Sequence, residues 1–278
     1  MAGEAKVFEN GVDKLWRQVD TMSAQSQRDI ITRVAAIRKE IVDKLSGAPV
    51  VTGLGGVETI DPQFLMGYRN ELTSLLVGWA RDVIDKSAGT MEKAANLGVG
   101  GYDKLLAELS GATLSPLTPG VMGLAPEVVQ AASLFTAEQF RGLANEVQTT
   151  VANQVQRAVF GGQSRWDAVR NIRDALKGQP GQTQNLGSLT SKAVSIERTA
   201  IMSVFNAAAQ VSYIRAESAL PGLKVEWSSA GQKTVCSKCR SVDGERKKPR
   251  EKFSIGVLAP PAHPRCMCRV IAWRADWE

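Results

Sequence analysis

The residues best suited to chemistry lie together near the carboxyl end of the chain. Cys236 and Cys239 form a Cys-x-x-Cys pair, and the run His263-Pro-Arg-Cys-Met-Cys268 follows after residues 240–262. A Cys-x-x-Cys pair on a tight turn presents two thiolates to one tetrahedral ion, and a second group of donors at this separation completes such a site. Sulfur-rich donor sets prefer zinc to magnesium or calcium. The spacing therefore predicts a bound zinc ion.

Five donors compete for the four positions of a tetrahedral ion: Cys236, Cys239, His263, Cys266 and Cys268. In one set, His263 and one of the last two cysteines join the first pair. In the other set, the four cysteines bind the ion and His263 lies outside it. Cys-x-Cys directs successive side chains to opposite sides of an extended backbone, which favours the set with His263, but the sequence leaves both sets open. A site with no position left for water predicts a structural zinc ion rather than a catalytic one.

The composition excludes several classes of enzyme. The chain has 278 residues with one histidine and four cysteines, and all five belong to this cluster. A Ser-His-Asp hydrolase or a Cys-His nucleophile needs a histidine free for that role, so we predict no enzymatic activity. A zinc-dependent hydrolase is the alternative that the residues favour least, because Asp243 and Glu245 lie on a predicted turn without a second carboxylate motif. The chain starts without the pattern of a secretory signal, so we expect reduced thiols rather than disulfides.

The positive charge of the chain is as localised as its cysteines. The formal net charge is +6, and residues 221–278 carry the whole excess. Between the two halves of the cluster, five cations fall within seven residues: Arg246, Lys247, Lys248, Arg250 and Lys252. Such a run is typical of a solvated loop or of a patch that faces phosphates. No aromatic residue interleaves with the cations, so any contact with double-stranded DNA is predicted to be nonspecific and sensitive to salt.

The elements that must position this cluster are predicted to be mostly helices. Apolar residues recur every three or four positions over residues 11–46, again from Leu72, and over 143–159, and a long helix is predicted from 191 to 220. Residues 223–228 alternate as a strand does, and 270–273 can supply a second strand. The fold class is therefore mainly α, a helical body with a small C-terminal α+β subdomain that resembles a zinc knuckle. No stretch is apolar enough to span a membrane.

Turn residues and capping motifs suggest where these helices stop and start. We expect Gly98–Gly101 to interrupt the second helical pattern, Thr136 and Gln139 to form a capping box, and Ser164 to cap the next helix. Prolines and glycines over 111–126 mark the best interior boundary. Three domains are predicted: a helical region at 1–126, a second helical region at 127–222, and the basic Cys/His metal-binding subdomain at 223–278.

An ordered series of motifs runs through residues 161–278: Gly162-Gln-Ser164, Ile196-Glu-Arg-Thr199, Phe205-Asn206, Val225-Glu-Trp227, Cys236-x-x-Cys239, Val242-Asp-Gly244 and Pro260-Pro-Ala-His-Pro-Arg-Cys-Met-Cys-Arg269. In this series, residues 161–278 resemble the phage Mu F-like head morphogenesis family, which comprises minor head, or minor capsid, proteins of tailed phages. Members of the family usually carry an acidic residue directly after the Arg-Thr pair, whereas Ala200 follows Thr199 here, so the resemblance carries no role beyond packing over to this helix.

The resemblance implies a structural minor head protein located in the virion, inside the phage head, and in the host cytoplasm during assembly. The partners that the resemblance implies are the portal protein, the capsid interior and the scaffold. It also implies an influence on DNA packaging. Residues 127–222 would then be the helical part of the head-morphogenesis domain, and residues 1–126 a docking or spacer region. A nonspecific DNA-binding module with a structural zinc ion is the alternative.

Overall fold

The computed structural model describes residues 2–52, 56–110, 124–160, 163–177, 189–229 and 235–277. The fold is mainly α, as the sequence predicts. Its long helices are α1 (Ala2–Ser46), α2 (Pro62–Ser110), α3 (Leu124–Phe160), α4 (Arg165–Lys177) and α5 (Leu189–Ala216). Strands β1 (Val50–Thr52) and β2 (Glu58–Ile60) pair antiparallel between α1 and α2. None of the described helices has the length and hydropathy needed to cross a membrane.

Contacts divide the chain into two compact units, each assembled from separate segments. Unit 1 consists of Met1–Ser26, Ser87–Phe135 and Glu197–Glu278, and unit 2 consists of Gln27–Lys86 and Thr136–Ile196. These units group residues by proximity, whereas the three domains predicted above are consecutive stretches of sequence. The three-domain division stays a prediction.

Unit 2 buries the helical stripes that the periodicity predicts. Its core contains a T-shaped contact between Trp79 and Phe140, whose ring centroids are 6.3 Å apart. Ser164 caps α4, because its hydroxyl accepts a hydrogen bond of 3.1 Å from the Asp167 amide, which confirms that expectation. The buried rows include Ile30, Val34, Ile37, Ile41 and Leu45 of α1, Leu72, Leu76 and Val83 of α2, and Leu143, Val147, Val151 and Val155 of α3.

Unit 1 contains the C-terminal α+β subdomain, as predicted. Its elements are β3 (Lys224–Ser228), the short helix α6 (Ser237–Arg240), β4 (Arg246–Lys247) and β5 (Arg269–Trp273). The strands form an antiparallel sheet in the order β4-β3-β5. Strand β3 alternates buried and less buried residues, and its buried Trp227 packs edge-on against Phe253 at 5.2 Å between ring centroids. The sheet thus shares one core with the unit 1 segments of α1, α2 and α5.

Two predicted helix boundaries are wrong. Helix α2 continues through Gly98–Gly101, and α3 begins at Leu124, so Thr136 lies inside that helix, 1% exposed. The buried Gly98 permits close packing instead of ending the helix. A Cβ atom on Gly98 would lie 2.7 Å from Ala208 Cβ and 3.1 Å from the Phe205 carbonyl oxygen of α5.

This close packing predicts opposite effects for two neighbouring glycines. Gly98→Ala should lower the free energy of unfolding by about 1–3 kcal/mol, because the added methyl group overpacks the contact of α2 with α5. Gly100→Ala is the matched control, since nothing lies within 4 Å of its added Cβ, and it should raise the free energy of unfolding by up to about 1 kcal/mol through helix propensity. Urea unfolding of both variants measures the difference. Equal effects of the two substitutions would contradict the close contact.

Candidate metal centre

Two short stretches of unit 1 bring the five predicted donors together. Cys236 is the N-cap of α6, where its sulfur accepts a 3.3 Å hydrogen bond from the Cys239 amide, and Cys239 lies one turn into that helix. The other three donors lie on the loop that leads into β5. Cys239, Cys266 and Cys268 are buried, whereas Cys236 is exposed.

The donor atoms form two groups that share Cys239. In one group Cys236 Sγ and Cys239 Sγ lie 3.1 and 3.2 Å from His263 Nε2. In the other, Cys239, Cys266 and Cys268 lie together, with 3.6 Å between Cys239 Sγ and Cys266 Sγ. All ligand atoms within each group are within 4.8 Å of one another, so either could hold a metal ion. Around a tetrahedral zinc ion two sulfurs lie about 3.8 Å apart and a sulfur and a nitrogen about 3.6 Å apart, and the three distances given above are within about 0.5 Å of these values.

The surroundings of His263 leave its Nε2 atom free to bind metal. Its Nδ1 atom lies 2.8 Å from the Pro264 carbonyl oxygen, which has no proton to donate, so Nδ1 carries the proton and donates it. The lone pair of Nε2 then points to Cys236 and Cys239. A histidine that binds metal commonly donates its other N–H to a carbonyl in this way, which favours the ligand set that includes His263.

Hydrogen bonds and burial give the thiols unequal acidities. A hydrogen bond from Cys268 lowers the pKa of the Cys266 thiol. Burial raises the pKa of Cys239, and the hydrogen bond to Cys266 raises the pKa of Cys268. A metal ion that binds Cys239 must therefore displace a tightly held proton.

The space at the cluster is too small for an organic substrate. The cavity among the donors is about 90 Å³ and is lined by Ser229, Val235, the five donors, Arg265 and Met267. Ligand pockets are usually about 300–1,000 Å³. The two carboxylates nearest in sequence are also engaged, since Asp243 accepts from the Ser229 amide and hydroxyl and Glu245 accepts from Ser254.

Sequence reasoning missed the contribution of α5 to this site. Thr199 Oγ1 accepts a 3.1 Å hydrogen bond from the Arg265 amide, and Asn206 Nδ2 lies 3.4 Å from the Cys268 carbonyl oxygen. The Tyr213 hydroxyl donates to the Val270 carbonyl at 3.2 Å. The polar residues within the apolar stretch 200–214 were the available signal, because a polar side chain on a buried helix needs a partner.

Three of the five predicted DNA-contacting cations lie beside carboxylates. Arg246 Nε is 2.7 Å from Glu226, Lys247 Nζ is 3.0 Å from Glu245, and Arg250 Nε is 3.3 Å from Glu217. The Lys248 amide donates to Glu251, and Lys252 is exposed.

Trp273 is distant from these cations in sequence, but its ring packs against one of them. The Arg246 guanidinium is 4.0 Å from the centre of the Trp273 ring. Trp273 is on β5 and Arg246 on β4, with β3 between them, so only the sheet order brings the two together.

Comparison with known proteins identifies the segment that contains this site. The family model described as Phage Mu protein F like protein matches residues 149–271. No curated protein and no solved structure matches the chain. The matched segment includes α5 and all five donors of the cluster. The match confirms, over residues 149–271, the resemblance to the phage Mu F-like family that the sequence motifs indicate.

Proposed function

We propose that the chain is a structural minor head protein that takes part in phage head assembly at or near the portal. The observation that carries this proposal is the family match over residues 149–271, because the family suggests a head morphogenesis protein. On this proposal the chain resides in the virion, inside the head, and its partners are the portal protein, the capsid interior and the scaffold.

The metal centre in this proposal is a structural zinc site. The donor geometry supports zinc, and the small cavity and engaged carboxylates support a structural ion over a catalytic one. We infer that the chain is not an enzyme. Cys236, Cys239 and His263 would hold the ion with Cys266, whose sulfur lies 3.6 Å from that of Cys239, and Cys268 would donate a hydrogen bond to Cys266.

Isolated head particles test the assembly role. Quantitative mass spectrometry of procapsids and mature virions should find the chain in both, at far fewer copies than the major capsid protein, and chemical cross-linking should join it to the portal protein. A soluble protein of similar size, produced in the same infected cells, measures accidental trapping in the head. Absence of the chain from procapsids, or recovery no higher than that of the trapped control, would remove the assembly role.

Substitution of single donors tests the metal centre. We expect one zinc ion per chain, and Cys239→Ser should lower the zinc affinity most, because Cys239 belongs to both donor groups. Cys268→Ser is the matched control, since it leaves Cys236, Cys239 and His263 in place. Chelator competition monitored by zinc content measures both. A chain purified without metal that also fails to bind added zinc would contradict the site, and equal losses in the two variants would contradict the assignment of Cys239.

The alternative is nonspecific binding of double-stranded DNA by the basic loop, which the localised positive charge favours. The neighbouring carboxylates reduce the charge that phosphates would meet, but exposed ion pairs are worth only about 0–1 kcal/mol and DNA can displace them. The side chain of Arg250 is 69% exposed although it is paired. We therefore keep Arg246, Lys247, Lys248, Arg250 and Lys252 as proposed contacts.

Salt-dependent binding tests these contacts. Replacing Lys248, Arg250 and Lys252 with Gln should weaken binding to duplex DNA and reduce the slope of log K against log salt by about 3, since each phosphate contact contributes about 0.9. The control replaces three other exposed cations, Lys39, Arg170 and Arg173, and should leave the slope close to that of wild type. Unchanged binding by the loop variant would remove DNA contact from the proposal.

A further inference from the structure

We propose that α5 holds the second half of the metal site in its binding conformation, and that Arg198 and Thr199 are the positioning residues through which it acts. This inference rests on the proposed metal centre. It gives a role to the Ile196-Glu-Arg-Thr199 motif, for which the sequence predicted packing only.

The loop that carries His263, Cys266 and Cys268 has a backbone conformation that needs support. Arg265, between the first two of these donors, has φ of +63°, in the left-handed region that non-glycine residues rarely adopt. The amide of this same residue donates to Thr199 Oγ1 at 3.1 Å. Thr199 therefore fixes the loop at its least favourable residue.

Arg198 contacts the same loop two residues after Arg265. Its guanidinium donates to the thioether sulfur of Met267, which stands between Cys266 and Cys268. The same side chain lies 4.0 Å from Asp20 of α1, and it is 29% exposed. Two consecutive residues of α5 thus contact two residues of the loop that are each adjacent to metal donors.

The residue before Arg198, Glu197, joins α5 to α1 and α2 by hydrogen bonds. Glu197 is fully buried, and its carboxylate oxygens accept hydrogen bonds from Ser26 of α1 and Ser87 of α2. Burial raises the pKa of this carboxyl group, and the two hydroxyls partly offset that rise. Because Glu197 is bonded to two helices, α5 is restrained in rotation, and Arg198 and Thr199 are presented to the loop at a fixed angle.

The first half of the metal site is held differently. Cys236 and Cys239 belong to the short helix α6, whose cap hydrogen bond lies between these two residues. The five donors therefore come from one self-contained helical turn and from one loop that depends on α5. Partners outside the ligand set that orient metal donors typically contribute about 10- to 100-fold in metal affinity.

Thr199→Val tests this role, because valine keeps the shape of threonine and removes the hydroxyl. We expect zinc affinity, measured by chelator competition, to fall by about 10- to 100-fold, and the Arg265 amide to exchange hydrogen faster in the metal-free chain. Thr199→Ser should restore both properties. Ser203→Ala is the matched control and should change neither, since the Ser203 hydroxyl donates to the Thr199 carbonyl within α5.

A second variant tests the same role if Thr199→Val does not fold. Arg198→Met retains most of the length of the partly exposed side chain but removes the guanidinium, and it should also weaken zinc binding while far-ultraviolet circular dichroism stays as in wild type. Zinc affinity within about twofold of wild type in both folded variants, with unchanged Arg265 exchange, would overturn the role of α5. A wild-type chain that binds no zinc would overturn the proposed metal site instead, and Arg265 exchange would then decide whether α5 holds the loop.

Discussion

The fold of unit 1 depends on one constraint: helix α5 is buried there, and the polar side chains that it carries need hydrogen-bond partners. Glu197, Asn206, Gln210 and Ser212 of α5 are all at most 5% exposed. A buried polar group without a partner costs about 1–3 kcal/mol. Their partners include hydroxyls of α1 and α2 and backbone carbonyls of the C-terminal subdomain, among them the Pro249 carbonyl, to which Gln210 donates. The hydrogen bonds that Glu197 accepts, and those that the amide nitrogens of Asn206 and Gln210 donate, fix how α5 meets the other segments of the unit.

The polar contacts of α5 also help to explain how the small sheet and the cysteine cluster are held in place. The sheet has strands of five, two and five residues, too little to bury a core by itself. It shares the core of unit 1 instead, and the Tyr213 hydroxyl donates to the backbone at β5. A zinc ion on such a base would rigidify a surface that is already folded on one side. That arrangement suits a structural component that must keep its shape within a large assembly.

The sequence predicted the features whose signals are local. The spacing of the cysteines and His263 predicted a common site, and the geometry now groups those donors as a candidate metal centre. Alternation along residues 223–228 predicted β3. The role of α5 could not be predicted in this way, because Thr199 and Arg265 are far apart in sequence and either could equally have faced solvent. The polar residues within an apolar helix indicated that Asn206 and Gln210 are buried. The carbonyl groups to which they donate could be identified only from the fold.

The misread boundaries have physical causes as well. Glycine serves both to end helices and to admit close packing, and Gly98 serves the second purpose because α5 lies against it. Thr136 and Gln139 have the spacing of a capping box, which is also the spacing of residues one turn apart inside any helix.

X-ray absorption at the zinc edge of the purified full chain tests the proposed zinc centre most directly. We predict one zinc ion per chain with three sulfur neighbours at about 2.3 Å and one nitrogen neighbour at about 2.0 Å. A spectrum with only oxygen or nitrogen neighbours, or a chain that takes up no zinc, would contradict it.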